Sequence, residues 1–559
     1  MEKRLNLQKH LENLSVNPNG FAENYNLGIV FHHLGKLQRA KKFFKRAITI
    51  KPHNPLAYND LGTVYLDLSK PKLAYSYFKK AIKLNPKFSD AYYNIGFLYS
   101  QYKSKANLAK SYYIKAYRLD AGHSRALAMY YQSIRGSCNF RLKEKLSQKL
   151  DKLTNRELES RKDVGEAAFL HLSRKADEEE NFKVAKSWCA KLSPKGRPAS
   201  GWQIPSTKIL KIGYMSDGLR DFPTGHNLSG VISEHSKNIN VSIYTWGKPD
   251  NSLYEKKIKK RADNYVDIHE LSDLEAAARI YNDKLDILID LKGFTKDNRI
   301  GVLANRPAPI QINYLGYPGT TGSHFHDYLI ADKVVIPPKN KKYFTEKIIY
   351  LKHCYRPADV VTQVSLPATP TAKSHHLPGG QRVVFASLNS AYKIDREIFN
   401  AWLEILESVE NSELWILAES NETRENLKHP GVRFLDFTDK KTHLERLGDI
   451  DLCLDTTIVS GHTTTTDAAR MGVPTLCLAG QHFASRVSAS VSAELGLNDL
   501  VCNNLAEYKD VAIRFTQDKK FRNNIYNTLA RGLTSSVIFN PNKFAKSLEK
   551  VYFSVYKHE

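Results

Sequence analysis

The chain has 559 residues, 42% of them hydrophobic and 11% aromatic, which makes it too long for one domain and too apolar for a disordered polymer. Its net charge of +25 favours acidic partners, but the basic residues are scattered and form no zinc-finger or RNA-recognition pattern. No specific nucleic-acid partner is therefore expected, and a lysine-rich solvated surface accounts for most of the charge.

Residues 1–20 form an N-terminal segment whose opening, MEKRLNLQKH, has no apolar core, and no stretch of the chain reaches the length of a membrane span. The six cysteines lie far apart with no C-x-x-C spacing, so buried free thiols are expected rather than disulfides or zinc ligands. Both readings point to a soluble, cytoplasmic protein.

Residues 21–123 repeat with a period of about 34. Gly28, Phe31, Ala40, Phe44, Ala47 and Pro52 recur as Gly62, Tyr65, Ala74, Phe78, Ala81 and Pro86. Gly96 and Tyr99 begin a third copy, which gains one residue near Lys105 and continues with Ala109, Tyr113 and Ala116. Small residues let paired helices approach, and aromatics fill the seam. The pattern resembles the tetratricopeptide repeat, an α-solenoid whose concave face binds a protein or peptide. The plain alternative is a spacer or an oligomerisation surface.

Residues 124–205 read as a charged helical connector that ends in the Pro/Gly/Ser-rich run Ser193–Ser206. From residue 206 strands alternate with helices: ILKIGYMS, VSIYTW (241–246) and LDILIDL (285–291), with a helix at Leu271–Lys284. In the run Arg306–Gly322, RPAPIQINYLGYPGTTG, the Pro-Gly clusters make rigid turns, and Gly316, Gly319 and Gly322 permit close backbone approach. A Pro/Ser/Thr-rich linker, Thr362–Gly380, separates this unit (206–375) from a second (376–559). The second has strands at Val383–Leu388, SELWIL (412–417) and VRFLDF (432–437), with helices at Asp395–Ser408 and from Lys440. The alternation predicts two parallel α/β, Rossmann-like units, with ligands at the carboxyl ends of their strands.

Within the second unit, Asp455–Gly480 (DTTIVSGHTTTTDAARMGVPTLCLAG) reads as loop, helix and strand after the strand IDLCL. Gly461 permits a tight turn, and His462 with four threonines crowds the start of the helix, where free N–H groups and the positive dipole end favour an anion. Asp467, one turn in, can accept from a sugar hydroxyl. An over-capped helix is the bland alternative, because the spacing is neither a Walker loop nor G-x-G-x-x-G.

Four segments together carry a resemblance: RPAPIQINYLGYPGTTG, NSAYKIDREIFNAWLEIL, KKTHLERLGDIDLCLDTTIVSGHTTTTDAARMGVPT and ASRVSAS. Behind the repeats, they resemble the protein O-linked N-acetylglucosamine transferases and their relatives, the SPINDLY-type O-fucosyltransferases. The resemblance implies a GT-B fold and inverting, metal-independent transfer of a sugar from a nucleotide sugar, UDP-GlcNAc foremost, to Ser or Thr of a protein. It implies that Lys393 holds the donor diphosphate together with Thr463 and Thr464, with His462 near the diphosphate and sugar. Asp467 then contacts the ribose, while Lys440, His443 and Arg446 grip the nucleoside. Two departures stand out. Phe222 occupies the place of a histidine beside the reaction centre, leaving His226 as the substitute base, and Ser390 stands where a glutamine contacts the donor. The alternatives are a different sugar donor, such as a fucosyl or other hexosyl nucleotide, or a peptide-binding scaffold whose transferase domain has lost activity.

Overall fold

The computed structural model describes residues 8–192, 209–364 and 382–558, apart from residues 9 and 11. The linker readings at Ser193–Ser206 and over most of Thr362–Gly380 lie outside the described residues. The chain forms two compact units, residues 1–134 with 142–166, and residues 135–141 with 167–559.

The first unit is built from helix pairs: α1 (Phe21–His33) and α2 (Leu37–Ile50), α3 (Pro55–Asp67) and α4 (Pro71–Leu84), α5 (Ser89–Ser100) and α6 (Ala106–Leu119). The recurrent glycines have a steric cause. A Cβ on Gly28 or Gly62 would sit 2.6 Å from the ring of Phe44 or Phe78, and one on Gly96 would sit 2.8 Å from Tyr113. Each first helix can therefore press against the aromatic of its partner only with a hydrogen at that position. Phe44, Phe78 and Tyr113 are buried in consequence. Proline at the first position of α3 and α4 starts those helices where no N–H is needed, and the Asn54 side chain caps α3. Successive first helices are tied by Tyr25 to Asp60 at 2.6 Å and by Asn94 to Asn59 at 2.9 Å.

The second unit holds two wholly parallel sheets. The first contains β1 (Leu210–Met215), β2 (Ile239–Thr245), β3 (Asn264–Asp267), β4 (Ile287–Asp290), β5 (Ile310–Asn313), β6 (Tyr328–Ala331) and β7 (Lys347–Tyr350), in the order β3-β2-β1-β4-β5-β6-β7. The second contains β8 (Val383–Ser387), β9 (Ser412–Leu417), β10 (Val432–Leu435), β11 (Leu452–Leu454), β12 (Thr475–Leu478) and β13 (Val501–Cys502), in the order β10-β9-β8-β11-β12-β13. Central strands such as β4, β5 and β8 are buried along their whole length, as helices on both faces require.

Three features go beyond the sequence reading. Within Arg306–Gly322, Ile310–Asn313 is the strand β5. The turn reading holds beyond that strand, where a Cβ on Gly316 would lie 1.9 Å from the Leu291 carbonyl and Gly322 adopts φ +63°. The final helix, Pro541–His558, also departs from a simple division at residue 376, since it returns to the first sheet. Tyr552 meets Tyr214 of β1 at 3.0 Å, and Glu549 accepts from the Ser236 N–H at 2.8 Å while lying 3.0 Å from His235. Similarly, the stretch read as one connector is divided, with residues 142–166 joining the repeats and 167–192 the α/β unit. All six cysteines are buried free thiols. No helix among the described residues is long and apolar enough to cross a membrane.

Candidate functional site

Sequence order reverses in the second sheet between β8 and β11, and the loops leaving those two strands build the site, as the rule for open α/β sheets requires. The loop after β8 supplies Asn389 and Lys393, and the loop after β11 supplies Asp455 to His462. Asn389 joins the two. Its amide donates to Asp455 Oδ1 at 2.8 Å and to Thr456 Oγ1 at 3.2 Å, while its carbonyl accepts from Thr464 Oγ1 at 2.9 Å and Lys393 Nζ at 3.2 Å. Lys393 Nζ also donates to the Ser460 carbonyl at 2.8 Å. Asp455 Oδ1 accepts from the Gly461 N–H at 2.7 Å, drawing the turn against the carboxylate. A Cβ on Gly461 would stand 2.3 Å from Thr465 Oγ1, so glycine is required there by crowding.

The four threonines open the helix Thr463–Arg470 and do different work. Thr465 is buried and pairs with Ser488 at 2.7 Å, and Thr466 bonds back to the Thr463 carbonyl at 3.0 Å. Thr463 and Thr464 remain at the mouth of the site. The ASRVSAS segment has a structural task, because Ser460 Oγ accepts from the N–H groups of Val487 and Ser488 at 3.1 and 3.2 Å. That anchors the residue whose carbonyl orients Lys393.

Charge at this end of the sheet is strongly biased. Burial is the main influence on Lys393, and the charge of Arg356 adds to it against the pull of Asp455, bringing the lysine down to about 8. Burial, then Lys393 and Arg356, hold His462 well below the usual histidine range, and its Nε2 has no hydrogen-bond partner. His462 is therefore neutral at neutral pH. A cation, a helix N-terminus, two hydroxyls and a neutral imidazole converge, which suits a diphosphate.

A second grouping lies on the helix Lys440–Arg446, whose start is capped by Asp439. Lys440 Nζ pairs with buried Asp467 at 2.6 Å, His443 Nε2 lies 3.8 Å from the same carboxylate, and Arg446 donates to His443 Nδ1 at 2.8 Å. Burial depresses His443 to about 4, with Asp467 opposing it. Asp467 Oδ1 is buried and has no hydrogen-bond partner, which leaves an unused acceptor beside this grouping.

Phe222 precedes the helix Pro223–Ser233 and is 44% exposed, with Arg220 and Lys292 each 5.9 Å from its ring centre. One turn on, His226 Nε2 meets Asp221 at 2.7 Å, and its ring centre lies 4.5 Å from that of Tyr254. Burial, then Lys440, lower its affinity for a proton against the attraction of Asp221. The electrostatic neighbours of His226 include Lys440 and His443, so it borders the second grouping. The adjacent Asn227 reaches the first, with Nδ2 3.4 Å from Thr463 Oγ1. Ser390 leads into the turn Ala391–Lys393 and makes no side-chain cap there. Sequence reasoning missed Arg356, Asn227 and the roles of Asn389 and Asp455. Asn389 and Asp455 carried a signal, each as a polar residue just beyond an apolar strand. No cluster of three or more metal-ligating side chains occurs among the described residues.

Comparison with known proteins bears on the family and the fold. The profile of Glycosyl transferase family 41 matches residues 200–366 and 361–548, and tetratricopeptide repeat profiles match 24–54, 55–88 and 77–116. A probable UDP-N-acetylglucosamine–peptide N-acetylglucosaminyltransferase SEC of Arabidopsis thaliana is 33% identical over 364 residues, covering 62% of this chain and 37% of the relative. A probable enzyme of the same description, SPINDLY of Solanum lycopersicum, is 27% identical over 66% of this chain and 41% of its own length. The chain thus spans about two fifths of the length of these relatives. A mutant O-GlcNAc transferase of Thermobaculum terrenum matches in structure with a TM-score of 0.65 and 23% identity, over 96% of this chain and 97% of that one, and it shares the fold. With one profile running through both parallel sheets and repeat profiles ahead of it, the chain belongs to glycosyl transferase family 41.

Proposed function

We propose that this protein is an inverting, metal-independent protein O-glycosyltransferase that moves N-acetylglucosamine from UDP-GlcNAc to Ser or Thr of an acceptor held by the repeats. The observation that carries this reading is the convergence of Lys393, Thr463, Thr464 and the start of the Thr463–Arg470 helix on one anion-favouring recess, with Asp467 and the Lys440–His443–Arg446 set beside it. The names of the relatives supply the donor.

The acceptor hydroxyl attacks the anomeric carbon as the bond to the diphosphate breaks. Negative charge grows on the leaving oxygen, where the Lys393 ammonium and the helix N–H groups receive it. Asp467 and Lys440 fix the ribose, and His443 with Arg446 meets the base. His226, neutral and steered by Asp221, takes the hydroxyl proton in place of the residue that Phe222 cannot supply. His462 packs beside the sugar as a neutral hydrogen-bonding group.

Phe222 also favours a second reading, a peptide-binding scaffold without transfer. Intact-mass spectrometry of acceptor proteins incubated with a panel of nucleotide sugars separates the two. Addition of one N-acetylhexosamine from UDP-GlcNAc supports the first reading. Addition of a deoxyhexose from a GDP-sugar replaces the donor assignment, and no addition from any donor supports the scaffold.

A further inference from the structure

Arg356 lies beyond β7, in the chain that leaves the first sheet, and its side chain crosses to the second. Its Nη2 donates to Thr463 Oγ1 at 2.6 Å, and the residue is only 4% exposed. Its Nε is buried with no hydrogen-bond partner, and among the described residues no carboxylate pairs with it. A buried guanidinium without a counter-charge is costly, and the usual remedy is an anion. The side chain also lies where an anion is expected, since its charge acts on both Lys393 and His462. Because Thr463 Oγ1 accepts from Arg356, its own proton is free to point away from the guanidinium. The backbone holds Arg356 firmly. The Tyr355 N–H donates to Asp332 at 2.9 Å, and the Tyr355 carbonyl accepts from Tyr314 at 2.8 Å.

We infer that Arg356 is a second diphosphate-binding cation, delivered by the first Rossmann unit, so that the donor diphosphate is clamped between Arg356 and Lys393. The inference rests on the nucleotide-sugar reading and adds a residue and a direction to it: the leaving group bridges the two sheets. A planar guanidinium suits two phosphate oxygens where an ammonium offers one point charge. Thr463 shares one of its donors and so lines the same clamp.

The test is calorimetry on the full chain and on Arg356→Gln, Arg356→Lys and Lys393→Ala, titrated with UDP, uridine and inorganic pyrophosphate. Thermal melts first establish that each variant is folded. Arg356→Gln should weaken UDP and pyrophosphate about tenfold to hundredfold, as expected for a lost charge-assisted bond, and leave uridine within about twofold. Arg356→Lys should retain part of the affinity. Unchanged UDP affinity in Arg356→Gln, with affinity lost in Lys393→Ala, overturns the inference and leaves the donor assignment intact. An equal loss for UDP and uridine also overturns it, because Arg356 then only holds the two halves together. Pyrophosphate bound by the wild type and lost in Arg356→Gln, without UDP binding, supports the clamp and removes the uridine donor. Binding of neither UDP nor pyrophosphate by the wild type removes both.

Discussion

Nucleoside diphosphate binding should weaken with rising pH, with an inflection near 8 set by Lys393. Burial is the first cause of that position, Arg356 pushes the same way, and Asp455 opposes them. Of the other groups facing the ammonium, His462 is held well below the histidine range, and burial raises the Asp455 carboxyl from its usual value. His443, at about 4, is neutral throughout. With a midpoint at about 8, the ammonium is about nine-tenths populated at pH 7, half at pH 8 and one-tenth at pH 9. Only the charged form meets the diphosphate well. The sign is set by linkage: the bound polyanion raises the lysine's proton affinity, so binding takes up a proton once the free protein has begun to lose it. Uptake should rise from about 0.1 proton per UDP at pH 7 to about 0.9 at pH 9, and affinity should fall about tenfold, or 1.4 kcal/mol, per unit above the inflection. Calorimetry in buffers of different ionisation enthalpy measures the proton count directly, and Lys393→Met should flatten the profile. An affinity independent of pH up to 9 with no proton uptake, or the same inflection in Lys393→Met, would refute the assignment of this lysine.

Turnover by Lys393→Ala should drop by about 10²–10³, or about 2.7–4 kcal/mol of transition-state stabilisation, in a protein that still melts cooperatively; near-normal transfer contradicts the role. Asp467→Ala leaves Lys440, whose side chain is only 10% exposed, without its buried partner and should cost about 3–5 kcal/mol in urea denaturation, with Lys440→Met in the same chain recovering part of it. If the double variant is no more stable than the single, the pair is not the reason. Gly461→Val forces side-chain atoms against Thr464, Thr465 and Asp455, and should lower UDP affinity at least about tenfold while costing about 1–3 kcal/mol; a variant with wild-type affinity shows the turn to be adaptable. EDTA should leave transfer unchanged, and activity recovered only on adding Mg²⁺ or Mn²⁺ contradicts a metal-free reaction.

The sequence by itself determined whatever depends on near neighbours along the chain. The repeat was readable because Gly28, Phe44 and their successors at a period of about 34 face one another within a single helix pair. Eight strands of the α/β unit, β1, β2, β4, β8, β9, β10, β11 and β12, were readable as largely apolar runs, because a parallel strand covered on both faces is mostly apolar. The anion-favouring turn was visible in Gly461–Thr464. What the sequence left open is what distant segments do to one another. Ile310–Asn313 is a strand only because β4 and β6 flank it, since its own residues sit among prolines and glycines that read as turn. The four threonines are alike in sequence, and only Ser488, packed beneath the helix, separates buried Thr465 from Thr463 at the mouth. Arg356 reaches Thr463 across 107 residues and Asn227 across 236, each from the other sheet. The last helix joins the first sheet through Tyr552 and Tyr214, 338 residues apart. No periodicity or propensity encodes such pairs. They arise from how the two sheets and their covering helices pack, and that packing decided which of the polar residues became the site.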